Sequence, residues 1–399
     1  RNRRTALGNS LTKSPFVTEM DTGSCDAYFD KIFYFKTDTA ILHLLQPMAN
    51  KSALVYELQD NYKEVLAHEI SLEKAASQSI DLSQFDPGFY RIEIRSGENS
   101  KSLPLVVQEN QAGSIAILAP VTTWHAYNAY GGKSFYRNAI DLEPVHTLST
   151  RRPMRAVDFD STFGGHDLYV LRNMYNWFNK NYRAVIFPDY ILEKSPAVLK
   201  EFSSIVLAQH CEYFSAGMYR NLENLSQTRN LLSLGGNQIY WKIRWNDEFS
   251  QVECRKDRSF FEGSLIPGMH WRDQWHGEAA LLGVGYTHAG IGTYASFQVE
   301  EPEHWLFENG LKEQTIFGNQ GIDQRGLSGD ETDEMQSYSP KNTVLLATGT
   351  NANDGGGQMV FIERGDRATF SCGAISCGSG LGKDPTFSQL ILNFLERYN

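Results

Sequence analysis

The sequence predicts an α/β protein: a doubly wound, mostly parallel sheet of amidotransferase-like type, preceded by a small β-sandwich. Three observations predict it. Apolar runs at 115–119, 184–187, 205–208 and 231–234 have the length of buried strands and are too short for buried helices. Helical patterns alternate with them, so parallel pairing through right-handed crossovers is the expected topology. Ahead of these runs, residues 25–107 carry short strand-like segments, polar turns and few helical patterns, as a sandwich would.

The elements follow in order. Residues 1–20 are polar and read as a flexible segment. The sandwich spans 21–110, with strands expected at 31–35, 39–45, 53–58, 65–70, 88–95 and 102–107. Alternation is plain in Tyr90-Arg91-Ile92-Glu93-Ile94-Arg95. A polar linker at 109–113 leads to the α/β domain, 111–399. Its first strand ends at Pro120, and Trp124 to Gly132 reads as a glycine-closed loop at that strand's carboxyl end. A helix is expected over 167–181, with Leu168, Leu171, Tyr175 and Phe178 on one face. The strand at 184–187 is followed by Asp189, and Ser195-Pro196 has the form of a helix start. The strand at 205–208 stops at Gln209-His210-Cys211-Glu212. Ser215 can then cap a helix carrying Met218, Leu222 and Leu225. The next run ends at Gly235-Gly236-Asn237. From 248 to 338 periodicity fades into an aromatic-rich insertion of loops and short strands. Strand patterns return at 341–348 and 358–371, and a helix closes the chain at 388–398.

Composition narrows the function classes. At 399 residues the chain exceeds one small core, so two domains are expected. A net charge of −10 without a basic patch argues against nucleic acid. No apolar run reaches the roughly 18 residues of a membrane span. The basic start, RNRRTALGNSLTKS, lacks an apolar segment and so is not an intact signal peptide. Five scattered cysteines make neither a disulfide scaffold nor a CxxC zinc site, and suit a reducing, cytoplasmic compartment.

Ligands of open parallel sheets sit outside the carboxyl ends of strands. Both polar knots, His210-Cys211-Glu212 and Asn237, fall at such ends. His210 can be a base or a metal ligand and Glu212 can hold a hard metal; equally, they can be a polar loop entering a helix. Cys211 can be a nucleophile, although its flanks lack the small residues of a nucleophile elbow. Tyr127 and Tyr130 can pack, or ligate an oxidised hard metal as phenolates. Asn237 can donate to an oxyanion or simply make a tight turn. Glu363-Arg364-Gly365 can be a site or a hairpin turn, and His166 can begin a helix. No HExxH motif or zinc ligand set is present.

Several stretches together resemble the C-terminal domain of the N,N-dimethylformamidase large (beta) subunit family. They are Thr123-Trp124-His125-Ala126-Tyr127-Asn128, His210-Cys211-Glu212-Tyr213-Phe214-Ser215, Leu234-Gly235-Gly236-Asn237-Gln238-Ile239-Tyr240-Trp241, Leu281-Leu282-Gly283-Val284-Gly285-Tyr286 and Glu363-Arg364-Gly365-Asp366. The family's second stretch usually reads His-Pro-Glu-Tyr-Trp-Ser; Cys211 and Phe214 depart from it. The resemblance runs from about Tyr90 to the end. It implies hydrolysis of the C–N bond of small amides, with iron held by two tyrosines and a glutamate. These map to Tyr90, Tyr127 (with Tyr130 as rival) and Glu212. Three anionic donors suit ferric iron. The resemblance further implies His210 as general base and then acid, Asn237 as oxyanion donor and Glu363 as the distal glutamate. A small-molecule amide is the implied substrate, with a homo-oligomer and a small partner subunit as the implied assembly. The family's large subunit is longer, with an additional lectin-like domain. Two other readings stand beside this one: a non-catalytic α/β module whose sandwich binds a partner or glycan, and a cysteine hydrolase using Cys211.

Overall fold

A computed structural model describes residues 25–46, 51–111, 113–139, 142–157, 159, 166–274, 277–311 and 315–398. The segment expected to be flexible, 1–20, lies outside them.

Alternation near the start becomes two sheets around one core. Ala27–Phe29, Thr39–Leu44 and Ser77–Asp81 form a three-stranded antiparallel sheet. Phe33–Phe35, Asn99–Gln108, Gly88–Ser96, Lys51–Gln59 and Lys63–Leu72 form a five-stranded one, in that order. Tyr90, Ile92 and Ile94 sit two apart along one strand, so they share its inward face. They are buried with Val55 and Leu103 of the same sheet and Leu42 of the other. The short strands Ala27–Phe29 and Ser77–Asp81 were not expected, because neither carries a visible apolar alternation.

The expected doubly wound parallel sheet is not what the chain builds. Strand outweighs helix, 38% to 22%, and the sheets are largely antiparallel or mixed. The nine-stranded central sheet runs Ala184–Pro188, Ile115–Ala119, Ser204–Gln209, Asn230–Gly235, Arg367–Ser371, Gln358–Arg364, Thr343–Gly349, Phe297–Val299 and Ile316–Phe317. Its first five strands pair in parallel. The remaining pairs are antiparallel. The physical reason lies in connection length. A parallel return needs a crossover of a dozen or more residues. The links after Thr343–Gly349 and Gln358–Arg364 are too short for one. Arg364 pairs with Arg367 across Gly365 and Asp366, and Gly365 has φ 71°, as a two-residue hairpin requires.

Successive residues of the parallel strands point to opposite faces, and both faces are covered. Ile117, Val206 and Leu232 pack with Leu171 and Phe178 of helix Leu168–Asn181 and Phe394 of helix Pro385–Tyr398. Leu118, Ile205 and Leu231 pack with Met218, Leu222 and Leu225 of helix Ala216–Ser226. Two local expectations need correction. The loop read from Trp124 to Gly132 begins inside a helix, Val121–Tyr127, and Ser195-Pro196 starts only a 3-10 turn, Pro196–Glu201. The region 248–338 holds short strands and turns, among them Gln251–Cys254, which joins Trp241–Trp245, Thr147–Ser149 and Tyr213–Ser215 in a four-stranded sheet. Among the described residues, no helix is long and apolar enough to cross a membrane.

Candidate active site

Three parallel strands deliver the site. Where Ile115–Ala119 ends, helix Val121–Tyr127 starts without a side-chain cap of its own. Asp189, at the end of the neighbouring strand, supplies it. Its carboxylate accepts from the Thr122 amide (3.1 Å) and hydroxyl (2.7 Å). Thr123 Oγ1 then accepts from the Glu212 amide at 2.9 Å, tying the Glu212 turn to this helix. Helix Ala216–Ser226 begins where the sequence indicates, with Ser215 Oγ accepting from the Met218 amide at 3.1 Å.

The Gly235-Gly236 pair is explained by crowding. A Cβ at Gly235 would strike the Gln209 carbonyl, and one at Gly236 would lie 2.7 Å from the Ile375 nitrogen. Around this contact Gln209, Asn237 and Ile239 have φ of 52°, 45° and 54°. Such left-handed backbone costs on the order of 1–3 kcal/mol per residue and gathers at functional sites. The Asp333 carboxylate holds Asn237 in place by accepting from its amide at 2.8 Å.

His210, Glu212, Tyr127, Tyr136, Tyr213, Asn237 and Glu331 converge here. His210 Nδ1 donates to the Gly236 carbonyl at 3.1 Å, so Nε2 faces the carboxylates. Nε2 lies 3.2 Å from Glu212 Oε2 and 3.9 Å from Glu331 Oε2. Asn237 Nδ2 donates to Glu331 Oε2 at 2.7 Å. The Tyr136 hydroxyl is 3.4 Å from each oxygen of Glu212 and accepts from the Tyr213 hydroxyl at 2.9 Å. The Tyr127 ring centre lies 4.6 Å from that of Tyr136 and 6.1 Å from that of His210. Lys256 places its ammonium over the Tyr136 ring, 3.4 Å from the centre, with Trp241 at 4.9 Å.

The electrostatics follow from burial and pairing. Burial opposes a charged His210, but the Glu212 hydrogen bond and the two carboxylates outweigh it and hold the pKa up at about 9. For Glu212 burial alone would raise the pKa; His210 reverses that and lowers it. Glu331 is raised to about 7 by burial, with Glu212 adding to the shift and His210 opposing it. Burial, and then the Glu212 charge, push all three tyrosines well above the ordinary phenol range. Burial lowers Lys256 to about 8.

Two sequence candidates lie elsewhere. Tyr90 belongs to the sandwich core: its hydroxyl donates to the Asp86 carbonyl at 2.7 Å and its ring meets Phe85. Glu363 is exposed beside the hairpin tip and accepts from the Tyr398 hydroxyl at 3.1 Å. The rival Tyr130 bonds Asp26 at 3.0 Å and stands apart from the cluster. In their places the fold brings Tyr136 and Glu331. Tyr136 follows the Gly131-Gly132 turn, a signal that could have been read as a loop returning to its start. Glu331 sits in the irregular insertion, where sequence pattern gives no direction. The Cys211 thiol is buried, lies 3.5 Å from the Ala208 carbonyl and 3.7 Å from the Leu118 carbonyl, and has its pKa raised well up by burial, so it is a poor nucleophile.

Among the described residues no three His, Cys, Asp or Glu side chains group as a metal site. The donors that converge here are phenols around a carboxylate, a hard, all-oxygen set that can become anionic and so fits a trivalent ion. A cavity of about 710 Å³ lies elsewhere, between the sandwich and the sheet edge, lined by Phe33, His125, Arg152, Tyr190 and Phe249 among others. A smaller one, about 250 Å³, is lined by Tyr127 together with Asp26, Lys101 and Arg155.

Residues 68–388 match the family described as "N,N-dimethylformamidase beta subunit-like, C-terminal". No curated protein matches the chain. Among solved structures, a ThuA-like protein from Bacteroides uniformis aligns at 13% identity and a TM-score of 0.34, over 58% of this chain and 86% of that one. The mmIFT52 N-terminal domain aligns at 11% identity and 0.31, over 56% and 87%. At such scores neither likeness carries an argument.

Proposed function

We propose that this chain, which belongs to the N,N-dimethylformamidase beta subunit-like family, is an amide hydrolase acting on the C–N bond of small amides. The observation that carries the reading is the convergence of buried His210 and Glu212 with Glu331 and three phenols beside the ends of parallel strands. Tyr127, Tyr136 and Glu212 would hold a ferric ion, with Tyr213 supporting Tyr136. Bound there, the ion would act as a Lewis acid toward the amide carbonyl and acidify a water.

The chain's own groups account for the proton traffic. His210 keeps one tautomer because Nδ1 is committed to Gly236. Held protonated by Glu212 and Glu331, it delivers its Nε2 proton to the leaving nitrogen and is recharged by the proton of the attacking water. Glu331, with a carboxyl raised to about 7, shares that proton. Asn237 fixes Glu331.

The "beta subunit" of the family's description supports a second, smaller subunit as partner. Five buried cysteines, none in a disulfide, support a cytoplasmic location. The test is release of amine from small formamides and acetamides by wild type and by Glu212→Ala. Wild type should turn over at least one of them, and the variant should lose about a thousandfold or more while staying folded. Equal turnover by a folded Glu212→Ala protein would remove Glu212 from the mechanism.

A further inference from the structure

Arg152 is a buried guanidinium without an acid. Only 9% of it is exposed, and its hydrogen bonds go to backbone carbonyls. Nη1 donates to those of Tyr130 at 3.2 Å and Lys133 at 2.8 Å, and Nη2 to that of His125 at 2.9 Å. At least two of its five N–H groups therefore meet no acceptor among the described residues, Nε–H being one of them. Arginine keeps its charge in a protein, and a buried charge is usually paired. Burial lowers this pKa to about 10, and no carboxylate among the described residues raises it again. The three carbonyls brace the loop between Tyr127 and Tyr136, but neutral dipoles leave the net charge in place.

That charge forms part of the wall of the 710 Å³ cavity between the sandwich and the sheet edge, a volume suited to a small organic molecule. The acids of the wall are committed elsewhere. Asp38 pairs with Lys31 at 3.7 Å and Glu248 with Arg151 at 3.4 Å. Asp30 accepts from the Tyr34 hydroxyl at 2.6 Å and the Ile41 amide at 3.0 Å. Lys194, exposed, holds its ammonium over the rings of Tyr190 and Phe249, 5.9 and 5.7 Å from their centres. Four cations, Arg152 and Lys194 besides the two already paired, thus face three acids. An anion supplies what Arg152 lacks, and an apolar body suits the rings. We propose that this cavity binds a small carboxylate with an aromatic body, its carboxylate set against Arg152 and its ring among Phe33, Tyr190 and Phe249. The proposal goes beyond the hydrolase reading and does not depend on it, because Arg152 stands apart from the His210 and Glu212 cluster.

Calorimetric titration with 3-phenylpropionate tests it. Two mimics accompany it: 3-phenylpropanol keeps the shape without the charge, and propionate keeps the charge without the ring. Wild type should bind 3-phenylpropionate at submillimolar concentration and each mimic about tenfold more weakly, the scale of a hydrogen bond to a charged group or of a buried ring. Ile191→Trp fills the cavity and leaves Arg152 in place, so it should abolish binding. Arg152→Met should bring acid and alcohol to equal affinity. No binding of 3-phenylpropionate to wild type, equal affinity for acid and alcohol, or binding that survives Ile191→Trp would overturn the proposal. So would a folded Arg152→Met protein that still prefers the acid. If either variant does not fold, Phe249→Ala decides: it should weaken 3-phenylpropionate about tenfold and leave propionate unchanged, and an unaltered affinity for 3-phenylpropionate overturns the proposal.

Discussion

Two buried histidines near the short helix Val121–Tyr127 are held in opposite ways. His125 faces the 710 Å³ cavity. Burial and then the nearby Arg152 charge push its pKa down to about 3, so it stays neutral. His210 lies in the tighter cluster reached by Tyr127, and two carboxylates pull its pKa up to about 9. Burial is equally complete in both. What differs is the sign of the neighbouring charge. The larger void is therefore the poorer guide to chemistry, and the convergence of carboxylates is the better one.

The comparison can be broken most sharply at Glu212. In metal-free protein, Glu212→Gln should drop the His210 pKa by at least one unit, about 1.4 kcal/mol of lost charge stabilisation. An NMR titration of the His210 ring reads this directly, with the His125 resonance as the unmoved reference. A His210 pKa that stays at about 9 would mean that Glu331 or the backbone sets it instead.

Asp189 offers a middle-sized effect on the scaffold that carries both histidines. Burial raises its carboxyl from 3.8 to about 7, although Thr122 and Tyr190 donate to it. Between those values the folded chain holds a proton that the unfolded chain has released, so stability falls as pH rises through that window. Below it both states are protonated and above it neither is. Asp189→Asn should flatten this part of the stability–pH curve. Urea unfolding at about pH 4, 5.5 and 7 measures the slope, and an unchanged slope would assign the titration to another group, such as Asp333, raised to about 7.

The smallest effect is expected at Tyr90. Tyr90→Phe removes one hydrogen bond to the Asp86 carbonyl and should cost about 1 kcal/mol of stability with turnover unchanged. Loss of activity with normal stability would return Tyr90 to the site.

The sequence made some of this legible and hid the rest for physical reasons. A buried strand must end in something polar, so Gln209 to Glu212 stood out. Ser215 was readable because capping is local. Family resemblance at Tyr127, His210, Glu212 and Asn237 led to residues that the fold does bring together. It failed at Tyr90, yet the alternation of Tyr90, Ile92 and Ile94 already pointed that ring into the sandwich core. It failed at Glu363, two residues from a Gly365-Asp366 hairpin tip. The parallel-sheet expectation generalised from four good strands to a second half whose links are too short for crossovers. Tyr136 carried only the Gly131-Gly132 turn as a hint, and Glu331 was invisible because only long-range packing decides where an irregular loop lays its side chains.

The central claim is that phenols and Glu212 form a metal centre beside His210. Metal analysis with a visible spectrum, on protein purified without chelators, tests it most directly. The account predicts about one iron per chain and a broad phenolate-to-iron absorption that is weakened and shifted in Tyr136→Phe and kept in Tyr90→Phe. Protein that stays colourless and iron-free after reconstitution, or a band that survives Tyr136→Phe unchanged, would contradict it.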